Sequence, residues 1–98
     1  MNTIFDKIVS GEMSAYIVWQ DDNYMAFLTP FPNTPGFTVV IPKKNVGDYL
    51  FSLDDLEYQG LLKASKIVPR KIETAFNTPR VAMIVDGTGV AHVHVKLL

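Results

Sequence analysis

The last twelve residues, Gly87-Thr-Gly-Val-Ala-His-Val-His-Val-Lys-Leu-Leu98, constrain the fold more than any other stretch. Val93, Val95 and Leu97 are strand formers and alternate with His92, His94 and Lys96, which is a period of two. Alternate residues of a strand share a face, so the two histidines and the lysine project together while the apolar residues turn to the opposite side. With a rise of about 3.3 Å per residue, neighbours in such a row stand about 6.5–7 Å apart. A row of nitrogen groups at that spacing suits the grip on one anionic group. The expectation is an exposed row on an edge or near-edge strand, lining a cleft. The plainer alternative is a surface strand with a solvated polar face.

A strand needs partners to cover its apolar side. Ninety-eight residues with 48% apolar content provide enough material for one domain, read over 1–98, with a core. Charge is balanced, 9 basic against 10 acidic residues with no basic run, which argues against long nucleic acid as a partner. The absence of cysteine excludes a disulfide framework and a thiolate zinc site. His92 and His94 could serve as metal ligands only with a third protein ligand, and Asp86 is the nearest carboxylate in sequence. Neither metal nor cofactor is expected. Met1–Lys7 lacks the apolar stretch of a secretory leader, and no apolar run approaches membrane length, so a cytoplasmic location without membrane attachment is expected.

Along the chain, Ile4, Phe5 and Ile8 fall on one face of a short helix over 4–10, with Thr3 as N-cap and Gly11 as its stop. Tyr16–Gln20 and Tyr24–Leu28 read as a hairpin turning at Asp21-Asp22-Asn23. Thr29–Gly36 carries three prolines and reads as a loop. Phe37–Ile41 is a third strand, ended by Pro42 and followed by Lys43 and Lys44. The strongest helical signal runs over Ser52–Phe76. Ser52 is the expected cap with Asp55 completing the box, and Phe51 and Leu56 the expected hydrophobic staple. Leu53, Leu56, Leu61, Ala64, Ile67, Val68, Ile72, Ala75 and Phe76 follow the helical period, and Pro69 is expected to kink or break it. Asn77-Thr-Pro79 stops the helix, Arg80–Val85 is a fourth strand, and the Asp86–Gly89 turn leads into the fifth. The fold class is α+β, with a mainly antiparallel sheet.

In this order the segments resemble the histidine triad (HIT) superfamily of nucleotide-binding hydrolases and transferases. Ile4-Phe-Asp-Lys-Ile-Val-Ser-Gly-Glu12 is similar to that family's N-terminal helix. Trp19–Phe27 and Pro35–Lys44 are similar to its central strands, and the C-terminal stretch to its His-x-His-x-His strand. The resemblance implies a five-stranded antiparallel sheet with one long helix and a short N-terminal helix, paired into a homodimer through the 52–76 helix and the strand near 80–85. It also implies cleavage at the α-phosphate of a mononucleotide or dinucleoside polyphosphate. His94 takes the nucleophile's position, forming a nucleotidyl-histidine that water resolves, and His92 takes that of the histidine that orients it. Lys96 replaces the third histidine. A pattern of this kind resembles HIT-like dinucleoside tetraphosphate hydrolases, and a lysine still offers positive charge to a phosphate oxygen. It also opposes protonation of His94.

Further positions follow from the same resemblance. Ile4, Phe5, Ile8, Phe27 and Val39 match a base pocket, which ordinary core packing explains equally well. Thr29 stands where an acidic residue binds the ribose hydroxyls, and Gly89, beside Val90, where one branch has a serine near the leaving group. Phe37 replaces an additional histidine, and cysteines common near Thr3 and Asp6 are missing. Lys43 and Lys44 read as solvated surface lysines, and Asn33 has no assigned role. An interaction module that binds nucleotide without turnover, and a metal protein, stand as the alternatives to an enzyme.

Overall fold

Helix α1 (Ile4–Ser10) begins at Thr3, whose hydroxyl accepts from the Asp6 N–H at 3.2 Å while the Asp6 carboxylate accepts from the Thr3 N–H at 2.9 Å. This reciprocal box satisfies two donors that a helix start leaves open. Gly11 closes the helix at φ 84°, a conformation that only glycine adopts without strain. The computed structural model describes residues 3–29, 37–85, 87 and 89–98. The proline-rich reading over 30–36, with Asn33, and the turn residues Asp86 and Thr88 lie outside the described residues.

Strands β1 (Ile17–Gln20) and β2 (Tyr24–Leu28) form the expected hairpin. Asp21 makes its turn, because its Oδ1 accepts from the N–H groups of both Asn23 and Tyr24 at 2.9 and 2.7 Å. Strand β3 (Thr38–Pro42), β4 (Met83–Ile84) and β5 (Val95–Leu97) complete a five-stranded sheet of order β1-β2-β3-β5-β4, and every adjacent pair is antiparallel. Two of these strands are shorter than the sequence suggests. The fourth is confined to Met83–Ile84, and the fifth pairs only over Val95–Leu97, with bends through 89–92. Gly89 has φ 89°, which breaks the extended run ahead of the histidines.

The long helix is also shifted from its expected start. A 3-10 turn occupies Leu50–Ser52, and α2 (Asp55–Ile67) is capped by Asp54, whose carboxylate accepts from the Glu57 N–H at 2.8 Å. Ser52 instead donates to the Tyr49 carbonyl at 2.9 Å. Phe51 and Leu56 do not enter the core, at 71% and 82% exposed. The two-residue shift places Leu53 and Tyr58 at the staple positions, and both pack against the core. Pro69 bends the helix without ending it. Val68 keeps a right-handed helical conformation, Pro69 takes the first position of α3 (Pro69–Phe76), and the Ile72 N–H reaches the Val68 carbonyl. Ile67, Ala75 and Phe76 lie on the exposed side of this bent helix.

Two apolar clusters sandwich the sheet. On one face Leu61, Ala64, Val68 and Ile72 cover Ala26, Val40, Val93, Val95 and Leu97. On the other Phe5 and Ile8 of α1 cover Met25, Phe27, Val39 and Ile41. Among the described residues no helix is long and apolar enough to cross a membrane.

Candidate functional site

The alternation read from the sequence holds through the bends. Val93, Val95 and Leu97 are buried beneath α2 and α3. Both histidines lie on the α1 side: the edge-to-face ring contacts of Phe5 reach His94 at 5.1 Å, His92 at 5.9 Å and Phe27 at 5.5 Å between centroids. Lys96 pairs with Val39 across β3 and with Ile84 across β4, and is half-buried.

The expectation of an exposed row is corrected for the histidines. His92 is fully buried and His94 is 3% exposed. The cause is α1, which lies over this side of the sheet and wedges Phe5 against both imidazoles. Period two sorts residues between faces, but it does not say what covers a face.

Burial forces each ring nitrogen to account for its bonding. His94 Nδ1 lies 2.8 Å from the His92 carbonyl oxygen. A carbonyl can only accept, so Nδ1 carries the proton and Nε2 holds the lone pair. His92 Nε2 lies 2.7 Å from the Pro42 carbonyl and by the same reasoning donates to it. Among the described residues His92 Nδ1, which is buried, has no hydrogen-bond partner, and Asp6 Oδ1 stands 3.5 Å from it.

Asp6 is held firmly. Its Oδ2 accepts from the Thr3 N–H at 2.9 Å, the Thr3 hydroxyl at 3.0 Å and the Asn45 amide at 3.3 Å. Burial pushes its carboxyl up, but the Thr3 backbone, Asn45, the Thr3 hydroxyl and the nearby His92 together hold it below the usual carboxylate value. Asn45 also donates to the Ala91 carbonyl at 3.1 Å, and the Val93 N–H meets the Gly47 carbonyl at 2.6 Å. The segment after β3 thus fastens the histidine-bearing stretch on both sides of His92.

The sequence reading missed Asn45 and the contact of Asp6 with His92. Thr3-x-x-Asp6 carries a capping signal that fixes Asp6 at the helix start, but nothing in the pattern links it to a residue 86 positions later. Of the suggested base-pocket residues, Phe5, Ile8, Phe27 and Val39 are buried together on this face, with Ile4 and Val90 packed at the cluster's edge. Thr29 is half-buried just beyond β2, its N–H bonded to the Phe37 carbonyl, and Gly89 is exposed. Among the described residues no three histidine or carboxylate side chains converge to hold a metal ion.

The chain is similar to known proteins in sequence and in fold. The family model for the HIT domain matches residues 10–98. An uncharacterised HIT-like protein of Methanocaldococcus jannaschii is 31% identical over 98 residues, covering 97% of this chain and 76% of its own length. The crystal structure of a hypothetical histidine triad nucleotide-binding protein from Sulfolobus tokodaii superposes with TM-score 0.89 at 28% identity, over 96% of this chain and 66% of that one. A HIT family hydrolase from Legionella pneumophila superposes with TM-score 0.80 at 29% identity, over 99% and 91% of the two chains. By sequence and fold, the chain belongs to the HIT family.

Proposed function

We propose that this protein is a nucleotide hydrolase or nucleotidyltransferase acting at the α-phosphate, with His94 as nucleophile. The observation that carries this reading is the 2.8 Å bond from His94 Nδ1 to the His92 carbonyl, which leaves the lone pair on Nε2. That lone pair attacks phosphorus, the bond to the leaving group breaks with its electron pair, and the leaving group takes a proton from solvent. Water then attacks the phosphorus of the nucleotidyl-histidine and gives up a proton to solvent, and the P–N bond breaks with its electron pair returning to Nε2. Lys96, on the same side of β5, supplies positive charge to a phosphate oxygen, and His92 anchors the nucleophile's backbone. Gly89 and Val90 border the phosphate, Thr29 the ribose, and the edge of the Phe5, Ile8, Phe27 and Val39 cluster with Ile4 the base.

The substrate is a mononucleotide derivative or a dinucleoside polyphosphate, and the protein acts in the cytoplasm as a two-fold homodimer. Support for pairing comes from apolar residues exposed on the helix and on the edge strand β4, Leu56, Ile67, Met83 and Ile84. A monomer mass by light scattering at tens of micromolar would remove the dimer from this reading.

The near-complete burial of His94 favours a second reading, a nucleotide-binding module with little turnover. Hydrolysis of a nucleoside phosphoramidate and a dinucleoside tetraphosphate by wild type and His94→Ala decides between them. The enzyme reading requires turnover that His94→Ala abolishes while binding persists; equal rates leave the binding module. Lys96→Met is expected to lower turnover about 10²–10³-fold, the cost of one lost transition-state donor, with a much smaller loss of binding.

A further inference from the structure

The His92 imidazole lies between two acceptors. Its Nε2 is 2.7 Å from the Pro42 carbonyl at the end of β3, and its Nδ1 faces Asp6 Oδ1 from α1 at 3.5 Å. A neutral ring can offer a proton to one of these oxygens, and the shorter contact claims it for Nε2. The remaining nitrogen, itself buried, would then turn a lone pair toward a carboxylate, which is an unfavourable arrangement. The other groups around the carboxylate all meet Oδ2, so Oδ1 is the oxygen left facing the ring. His94 is the next titratable group along the histidine-bearing segment, and its ring meets the same Phe5.

We propose that Asp6 is a positioning residue for the reaction: its Oδ1 holds a proton on His92 Nδ1, clamping the ring between α1 and the end of β3. The clamp acts through the backbone. A fixed His92 ring fixes the His92 carbonyl, and that carbonyl sets both the tautomer and the direction of His94. The Asp6 carboxylate therefore joins α1 to the site, and the Thr3 backbone N–H and the Asn45 amide aim it. Such outer partners of a working histidine commonly change its effectiveness without touching substrate.

This inference rests on the reading of His94 as nucleophile for its kinetic consequence, but its structural part is testable without activity. Nitrogen-15 NMR of the imidazoles at neutral pH reads protonation at each ring nitrogen. In wild type both nitrogens of His92 are expected to give protonated-type signals. Asp6→Asn keeps an oxygen for the Thr3 N–H and replaces the charge with an amide. It should move His92 Nδ1 to the unprotonated range and reduce kcat about tenfold, the low end for loss of an outer partner, with KM changed less than twofold. Thr3→Val weakens the same helix cap while leaving the carboxylate, and should leave the His92 signals in place. Identical His92 signals in wild type and Asp6→Asn overturn the proposal, as does a Thr3→Val variant that shifts them equally. If wild type and His94→Ala hydrolyse equally, the enzymatic reading fails, while the NMR comparison still decides what Asp6 does.

Discussion

The two faces of the sheet are built from the same alternating strands, yet they do different work. Toward α2 and α3 the contacts are mainly apolar, from Leu61, Ala64, Val68 and Ile72 to Val40, Val93, Val95 and Leu97, and the buried Ser65 hydroxyl is satisfied within its own helix by the Leu61 carbonyl at 2.8 Å. Toward α1 the apolar cluster around Phe5 and Phe27 shares the face with His92, His94 and the carboxylate of Asp6. The apolar clusters of the two faces are equally buried, but the second face also holds His92, His94 and Asp6, whose hydrogen bonds must be matched atom by atom. A side chain on the helix face is judged by volume, one on the α1 face by donors and acceptors. The two faces should therefore fail in different ways.

The largest expected difference comes from Leu61, fully buried in the middle of the helix face. Leu61→Ala removes about 2–5 kcal/mol of stability through lost burial and the cavity left behind. That is a large share of the roughly 5–15 kcal/mol available to a small domain. Chemical denaturation measures it, and the imidazole nitrogen signals of the still-folded protein should be unchanged. A loss under about 1 kcal/mol would mean that the helix face is not the main source of stability.

A smaller effect is expected at Gly60, where α2 crosses the end of β2. A β-carbon there would overlap the Tyr24 hydroxyl and stand 2.7 Å from the ring's Cζ. The Tyr24 hydroxyl also donates to the Glu57 carbonyl at 3.5 Å, a contact the ring would give up on withdrawing. Gly60→Ala raises helix propensity but forces overpacking, and the second term wins by about 1–3 kcal/mol. A stabilised variant would show that Tyr24 moves aside freely.

These differences also explain what the sequence made legible. Periodicity separated Val93, Val95 and Leu97 from the histidines, and local chemistry located the Thr3 cap, the Gly11 stop, the Asp21 turn and the Pro69 bend. Each of those depends on residues near one another in the chain. The cap of α2 was misplaced because Ser52 and Asp54 both precede suitable residues, and the choice between them rests on how the helix docks on the sheet. The burial of His92, and its contacts with Asp6 and the Pro42 carbonyl, arise from the docking of α1 and β3. Such contacts leave no periodic trace, so the histidine row was legible and its supporting partners were not.

The smallest expected effect is a pH dependence confined to the α1 face. The Asp6 carboxyl is held below its ordinary value of 3.8, against the upward push of burial, by the Thr3 backbone, Asn45, the Thr3 hydroxyl and His92. A carboxyl whose folded value is depressed contributes stability that is fully present above the unfolded value. That contribution fades as pH falls through the lower folded value, where both states bind the proton. The difference in denaturant midpoint between wild type and Asp6→Asn should therefore hold steady from neutral pH down to about pH 5 and shrink as pH falls below 3.8. On the helix face, Leu61→Ala should lower stability by the same amount at each pH, because no titrating group is removed. A gap between wild type and Asp6→Asn that does not change with acid would show that the carboxylate's charge is not what anchors α1 to the histidines. The helix would then be held by Phe5 and Ile8 alone, and the two faces would differ in composition but not in the physics that keeps them closed.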